Sequence, residues 1–249
     1  MGIFKAMTEP SSFEESVDAI KQDAAANLNG IDLEELVSNM ESSCEFANSK
    51  AAAGDSTMPR DHMAVIVLYT CEFYVGSAVY KVINESLRDA DRTKVKRVAP
   101  YIFHLMKALE KCPAFEGGKV YRGHKGRPPS GYAAGKTVTW LQFSTAVRSE
   151  EALAEMLGGD GDRTMFTIHL TTGRARVIDN YSLAPREMEI LLPPNSRFDI
   201  SAVLDRGGGL WEVQMNEVKS SDPILSFGSQ GEPLAVVLWV VIFVSSFLH

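Results

Sequence analysis

The chain has 249 residues, with 25 Lys and Arg against 32 Asp and Glu for a net charge of −7, and 45% of its residues are apolar. That composition excludes a disordered chain, a collagen-like chain and a polytopic membrane protein. The acidity is local. Residues 1–57 hold three basic and eleven acidic side chains, a net −8, while the rest of the chain carries +1. No part has the broad basic surface of a nucleic-acid binder. Cys44, Cys71 and Cys112 are too few and too scattered for a disulfide framework or a zinc site, so reduced thiols and no metal are expected.

The first sixteen residues lack the apolar core of a secretory signal, and Ala6 stands where an N-myristoylation motif starting at Gly2 needs Ser or Thr. Ser12 and Glu15 form a capping box, after which Phe13, Val17, Ile20 and Ala24 recur at helical spacing until Gly30. Asp32 caps a second helix that carries Leu33, Leu36, Val37 and Met40. Residues 51–59 read as a linker. A long apolar helical stretch over 60–87 is interrupted near Gly76, and a further helix sets Val95, Val98, Ile102, Leu105 and Leu109 on one stripe before Cys112-Pro113.

After Pro113 the texture changes to short β-rich runs at 119–122, 137–145, 164–170, 174–178, 189–192, 198–204 and 211–218, separated by Gly, Pro and Asn turns. One helix, 149–157, interrupts them, with Ser149 as N-cap and Glu150 and Glu151 in its first turn. Helices first and strands afterwards predict an α+β fold. The expected organisation is an acidic helical arm or linker over 1–57, a domain over 58–220, a polar spacer over 221–233 and a hydrophobic tail over 234–248.

That tail is an apolar run of fifteen residues. As a helix it spans about 22 Å at 1.5 Å per residue, against ~30 Å of bilayer hydrocarbon. Three readings stand: a glycolipid-anchor signal with Ser220, Ser221 and Asp222 as its small-residue site, a tail anchor, or a final buried element. An all-round apolar run favours membrane association over the buried element.

Three short features sit at strand ends in order: Val120-Tyr121-Arg122-Gly123, Phe143-Ser144-Thr145-Ala146 and Glu187-Met188-Glu189. Singly, each has an ordinary reading as a turn, a cap or a solvated acidic face. Together they resemble the R-S-E class of mono-ADP-ribosyltransferases, the arginine-specific branch. Leu68-Tyr69-Thr70 and residues 82–88 are similar to that family's helical signature, and residues 140–145 to its central strand. Residues 179–198, with Ser182, Pro185 and the Pro193-Pro194 pair, resemble its acceptor loop and catalytic strand. The similarity covers about residues 60–218. The family's Ser-Thr-Ser ends here in Ala146.

The resemblance implies N-terminal helices followed by a two-sheet β-sandwich, with NAD⁺ as co-substrate and no metal. It assigns Glu189 to the ribose 2′-OH, where a carboxylate stabilises an oxocarbenium-like transition state as nicotinamide leaves. Arg122 becomes the clamp on the dinucleotide, since a guanidinium grips phosphate oxygens bidentately. Gly123 gives the cofactor close access to the backbone. Ser144 hydrogen-bonds Glu189 and fixes its rotamer. In one strand a period of two puts Glu187 and Glu189 on the same face, so Glu187 orients the acceptor guanidinium.

The reading is therefore transfer of ADP-ribose from NAD⁺ to arginine side chains of a partner protein, by a monomer that binds no nucleic acid and is tethered through residues 234–248. The alternatives are an NAD⁺ glycohydrolase and a degenerate membrane-tethered NAD-binding module, the latter motivated by Ala146. Ordinary roles are expected elsewhere. His104 is a satisfied packing residue, His124 a solvent-facing turn residue, Gly207 to Gly209 a hairpin turn and Trp211 core. His62 and His169 show no metal spacing. Phe143, Phe166 and Tyr181 are equal candidates to stack on nicotinamide.

Overall fold

The computed structural model describes residues 12–27, 30–54, 58–74, 77–91, 93–181 and 189–219. Glu187 and the tail at 234–248 lie outside the described residues. Contacts divide the chain into two compact units, one helical up to Lys111 and one built of strands from Cys112.

The helical unit contains α1 (Phe13–Asn27), α2 (Leu33–Ala52), α3 (Arg60–Thr70), α4 (Val79–Arg88) and α5 (Thr93–Lys111). Its caps form as the sequence requires: Glu15 N–H donates to Ser12 Oγ at 3.2 Å, and Glu35 N–H to Asp32 Oδ1 at 2.8 Å. Phe13, Val17 and Ile20 of α1 are fully buried, and the five-residue stripe of α5 is buried throughout. In α3, seven consecutive residues from Met63 to Tyr69 are buried, which makes it the central helix. Thus the acidic N-terminal segment forms a helical pair, with α1 packed on α5 and α2 on α3. In α2 the buried stripe is Leu36, Ser43 and Ala47, whereas Leu33 is 42% exposed. The helix runs twelve residues past Met40, so its inward face is set by small residues that apolar counting overlooks.

The second unit holds eight strands: β1 (Gly118–Lys125), β2 (Thr137–Trp140), β3 (Ser144–Val147), β4 (Arg163–Leu170), β5 (Arg176–Val177), β6 (Glu189–Leu192), β7 (Ser196–Gly207) and β8 (Leu210–Val218). Between β3 and β4 lies α6 (Glu150–Leu157), capped by Ser149 Oγ, which accepts from Ala152 N–H at 3.2 Å. Spatial order is β2-β7-β8-β4-β1-β3-β6-β5. All neighbours are antiparallel except β4 and β8. The fold is α+β, as the sequence indicates.

Hydrogen bonding links all eight strands, but the seam between β1 and β3 is one pair, Tyr121 with Val147. There the sheet folds back on itself. Val120, Phe166, Ile168, Phe198, Ile200, Val213 and Met215 of the five-stranded part pack against Ala146, Ile190 and Leu192 of the three-stranded part. Aligned inner faces of this kind make a sandwich with one hydrogen-bonded corner. The run 137–145 is two strands, not one. Residues 137–140 pair with β7 and residues 144–147 with β6, because the chain crosses there from one part of the sandwich to the other.

Candidate functional site

Arg122, Ser144 and Glu189 fall on the three adjacent strands β1, β3 and β6 at the corner of the sandwich. On β1 the side chains alternate, so Arg122 shares the inward face with buried Val120, and Gly123 shares the outer face with Tyr121. The Arg122 guanidinium crosses to β3, where Nη1 donates to Thr145 O at 2.6 Å and to Thr145 Oγ1 at 3.2 Å. It also stands 5.9 Å from the centroid of the Trp140 ring.

Trp140 is itself fixed. Its Nε1 donates to the Tyr132 hydroxyl at 2.6 Å, and its ring packs edge-on to Phe166 and tilted against Phe198. Burial raises the Tyr132 hydroxyl above its ordinary pKa, against the opposing effects of Trp140 and Arg122. This aromatic support for the guanidinium has no linear signal, since Tyr132, Trp140, Phe166 and Phe198 come from separate segments.

Glu189 opens β6 and is half-buried. Register pairs it with Val147, Thr145 with Leu191, and Ser144 with Leu192. Ser144 is thus three positions from Glu189, about 10 Å along a strand, and on the opposite face. The expected hydrogen bond between them is not formed: Ser144 is 2% exposed and its Oγ has no partner among the described residues. Thr145 is the hydroxyl on the face of Glu189, one diagonal step away. Sequence reading missed it, because a one-residue shift along a strand exchanges the two faces.

Gly123 has a reason other than cofactor access. A Cβ there would lie 2.6 Å from Leu157 Cδ2 and 3.1 Å from Leu153 Cδ1, both on α6. The glycine lets α6 press onto β1. Among the expected nicotinamide partners, Phe143 is fully buried, Phe166 belongs to the sandwich core and Tyr181 is 6% exposed. His104 is buried with Nε2 lacking a partner among the described residues, so it is not satisfied as expected. His124 is exposed but lies in β1 rather than in a turn. Trp211 is half-buried beneath Arg127, 5.6 Å from ring centroid to guanidinium carbon, not core. Gly207 to Gly209 form the β7–β8 turn as expected, and a Cβ on Gly209 would meet Gly161 O at 2.6 Å. No group of three or more metal-ligating side chains occurs among the described residues.

The three adjacent strands β1, β3 and β6 thus carry, in order, a guanidinium suited to phosphate, a hydroxyl that accepts from it and a half-buried carboxylate. A family model described as NAD:arginine ADP-ribosyltransferase matches residues 21–222. No curated protein sequence matches the chain. Among solved structures, the ADP-ribosyltransferase Vis of Vibrio splendidus in complex with agmatine is 20% identical. That likeness covers 82% of this chain and 91% of Vis, with a TM-score of 0.54. A variant of the eukaryotic mono-ADP-ribosyltransferase ART2.2 in complex with NADH is 18% identical over 86% of this chain and 96% of its own, with a TM-score of 0.57. HopU1 of Pseudomonas syringae pv. tomato is 20% identical over 70% and 82%, with a TM-score of 0.53. These likenesses show a shared fold.

Proposed function

The chain belongs to the NAD:arginine ADP-ribosyltransferase family, a transferase that uses NAD⁺, and we propose that its acceptor is the arginine side chain of a protein, with nicotinamide released. The observation that supports this reading is that Arg122 on β1 and Glu189 on β6 flank β3, whose Thr145 accepts from the Arg122 guanidinium. That Vis was crystallised with agmatine, a guanidinium compound, and ART2.2 with NADH supports both substrate classes.

In this reading Arg122 binds the pyrophosphate and Gly123 lets the nicotinamide amide approach the backbone. Glu189 accepts from the ribose 2′-OH and offsets the positive charge that develops at C1′. The bond from C1′ to the nicotinamide nitrogen breaks, and nicotinamide leaves with the electron pair. An acceptor Nη then bonds to C1′ and loses a proton. A free guanidinium is a poor nucleophile because its pKa exceeds about 12. Glu187 therefore binds the acceptor and takes that proton as the new bond forms. Thr145 takes the positioning role expected of Ser144. Residues 234–248 tether the enzyme to a membrane.

The test is a product assay with NAD⁺ and agmatine on the wild type, Glu187→Gln and Glu189→Gln. The wild type modifies agmatine. Glu187→Gln loses transfer while keeping NAD⁺ hydrolysis, and Glu189→Gln loses both, by about 10²–10³-fold. Free ADP-ribose in place of adduct would identify a glycohydrolase, and binding without turnover a degenerate module. Thr145→Val lowers turnover more than Ser144→Ala. Membrane fractionation of the chain with and without residues 234–248 tests the tether, and equal solubility of the two removes it.

A further inference from the structure

Two charged side chains outside this chemistry meet at the edge of the three-stranded ribbon β3-β6-β5, which carries Glu189. In the three-stranded part, β6 lies between β3 and β5. Glu189 is therefore flanked on one side by Val147, its register partner, and on the other by Ile178, whose N–H donates to Glu189 O at 3.2 Å. The residues that follow those two neighbours are Arg148 and Asp179, 31 positions apart in sequence. Their side chains form an ion pair, so the strands on both sides of Glu189 are tied to each other at the end of β6 where it stands.

The pair is not an ordinary surface bridge. The two side chains are 35% and 22% exposed, and Asp179 Oδ1 is buried without a partner among the described residues. Burial raises the Asp179 pKa above its ordinary value, while Arg148 opposes the rise. Asp179 also opens a short 3₁₀ turn to Tyr181, whose N–H donates to Ile178 O at 2.8 Å and whose ring is buried. Glu187 precedes Glu189 by two residues in the sequence.

We infer that the Arg148–Asp179 ion pair is a positioning clamp, holding the strands on either side of Glu189 together and thereby fixing the start of β6, where Glu189 stands. Neither residue touches the reacting atoms. Hydrolysis needs Glu189 alone, whereas transfer needs both carboxylates placed at once, so loosening the clamp penalises transfer more. This consequence rests on the function proposed above; the clamp itself is a statement about the ribbon.

The experiment separates the two. Arg148→Ala, Asp179→Asn, Arg148→Lys and the reversed pair Arg148→Asp with Asp179→Arg are compared in the full chain. Backbone hydrogen exchange is followed by mass spectrometry over 176–178 and 189–192, together with agmatine transfer and NAD⁺ hydrolysis. Arg148→Ala and Asp179→Asn speed exchange in those two segments and in no distant helix. They lower kcat for transfer about tenfold to a hundredfold, reduce the ratio of transfer to hydrolysis and leave KM for NAD⁺ in place. Arg148→Lys and the reversed pair recover both readouts toward wild type. Unchanged exchange in the single variants, or a reversed pair no better than the worse of them, overturns the clamp. Faster exchange in a protein whose wild type turns over no NAD⁺ leaves the clamp standing and removes the proposed function instead.

Discussion

Buried polar groups in the helical unit and in the strand unit answer to different neighbours. In the helices, the buried serines bond back to their own turn: Ser16 to Phe13 O at 2.6 Å, Ser43 to Asn39 O at 2.6 Å and Ser86 to Val82 O at 2.9 Å. In the strands, the buried carboxylates reach across the fold. Glu212 accepts from Thr167 Oγ1 at 3.0 Å, Gln214 Nε2 at 3.0 Å and Arg206 Nε at 2.7 Å. Glu217 accepts from the N–H groups of Thr171 and Thr172 at 2.8 and 2.9 Å. The helical unit has long-range exceptions of its own, such as the Tyr101 hydroxyl on Val65 O at 2.8 Å. The contrast still teaches where polar side chains specify tertiary structure. A helix supplies acceptors to its own buried hydroxyls, whereas these buried carboxylates draw most of their donors from other strands and loops, although buried Ser196 and Arg176 of the strand unit donate to nearby carbonyls.

The sharpest break of that comparison is Glu212→Ala. The carboxylate is 4% exposed and holds three partners on two other sites of the sheet and its own strand. Losing charge-assisted hydrogen bonds of this kind costs about 2–3 kcal/mol, with Arg206 free to hydrate because its side chain is 51% exposed. Urea unfolding at neutral pH reads the loss, and a change below about 0.5 kcal/mol would remove the network from the account.

A second, smaller effect is expected of Gly123→Ala. The new methyl must displace Leu157 and Leu153, an overpacking that costs about 1–3 kcal/mol. In a Leu157→Ala background the penalty falls, since the nearest obstructing atoms are gone and only Leu153 Cδ1, at 3.1 Å, remains in the way. An undiminished penalty there would return Gly123 to a purely conformational or cofactor role.

How much of this was legible follows the same division. The caps at Ser12, Asp32 and Ser149 and the stripe on α5 are local in sequence, and all were readable from it. Arg122 and Glu189 were readable through family resemblance. Register was not. Residues 137–145 read as one unbroken β-rich run, and nothing in it marks where pairing switches from β7 to β6. Without that switch the hydroxyl of Thr145 cannot be told from that of Ser144, because neighbouring residues differ only in face. Arg148 with Asp179 and Trp140 with Tyr132 were invisible for a related reason: each pair is assembled by topology.

Acid titration extends the comparison. Burial pushes the Glu212 carboxyl upward, but Gln214, Arg206 and Thr167 together outweigh it and hold the group below its ordinary value of 4.5. A depressed folded pKa means that the unfolded chain takes up the proton first. The stabilisation is therefore complete above about pH 4.5 and is lost as pH falls through the lower folded value. The stability gap between wild type and Glu212→Gln should be constant near neutrality and close in acid. A gap that widens in acid would reverse the sign of the argument.

Ser86→Ala should do the least. Its hydroxyl donates to Val82 O, a carbonyl within α4. Removing the hydroxyl takes donor and hydration cost away together, and a helix carbonyl keeps its own N–H partner, so no buried polar atom is orphaned. Alanine also has the higher helix propensity, by about 0.5 kcal/mol. The two terms offset, leaving a net change within about 0.5 kcal/mol of zero despite a residue that is only 7% exposed. Burial alone would rank Ser86 with Glu212, and locality of the acceptor separates them. If Ser86→Ala cost as much as Glu212→Ala in the same urea series, local and long-range polar burial would be equivalent here, and the contrast between the two units would fail.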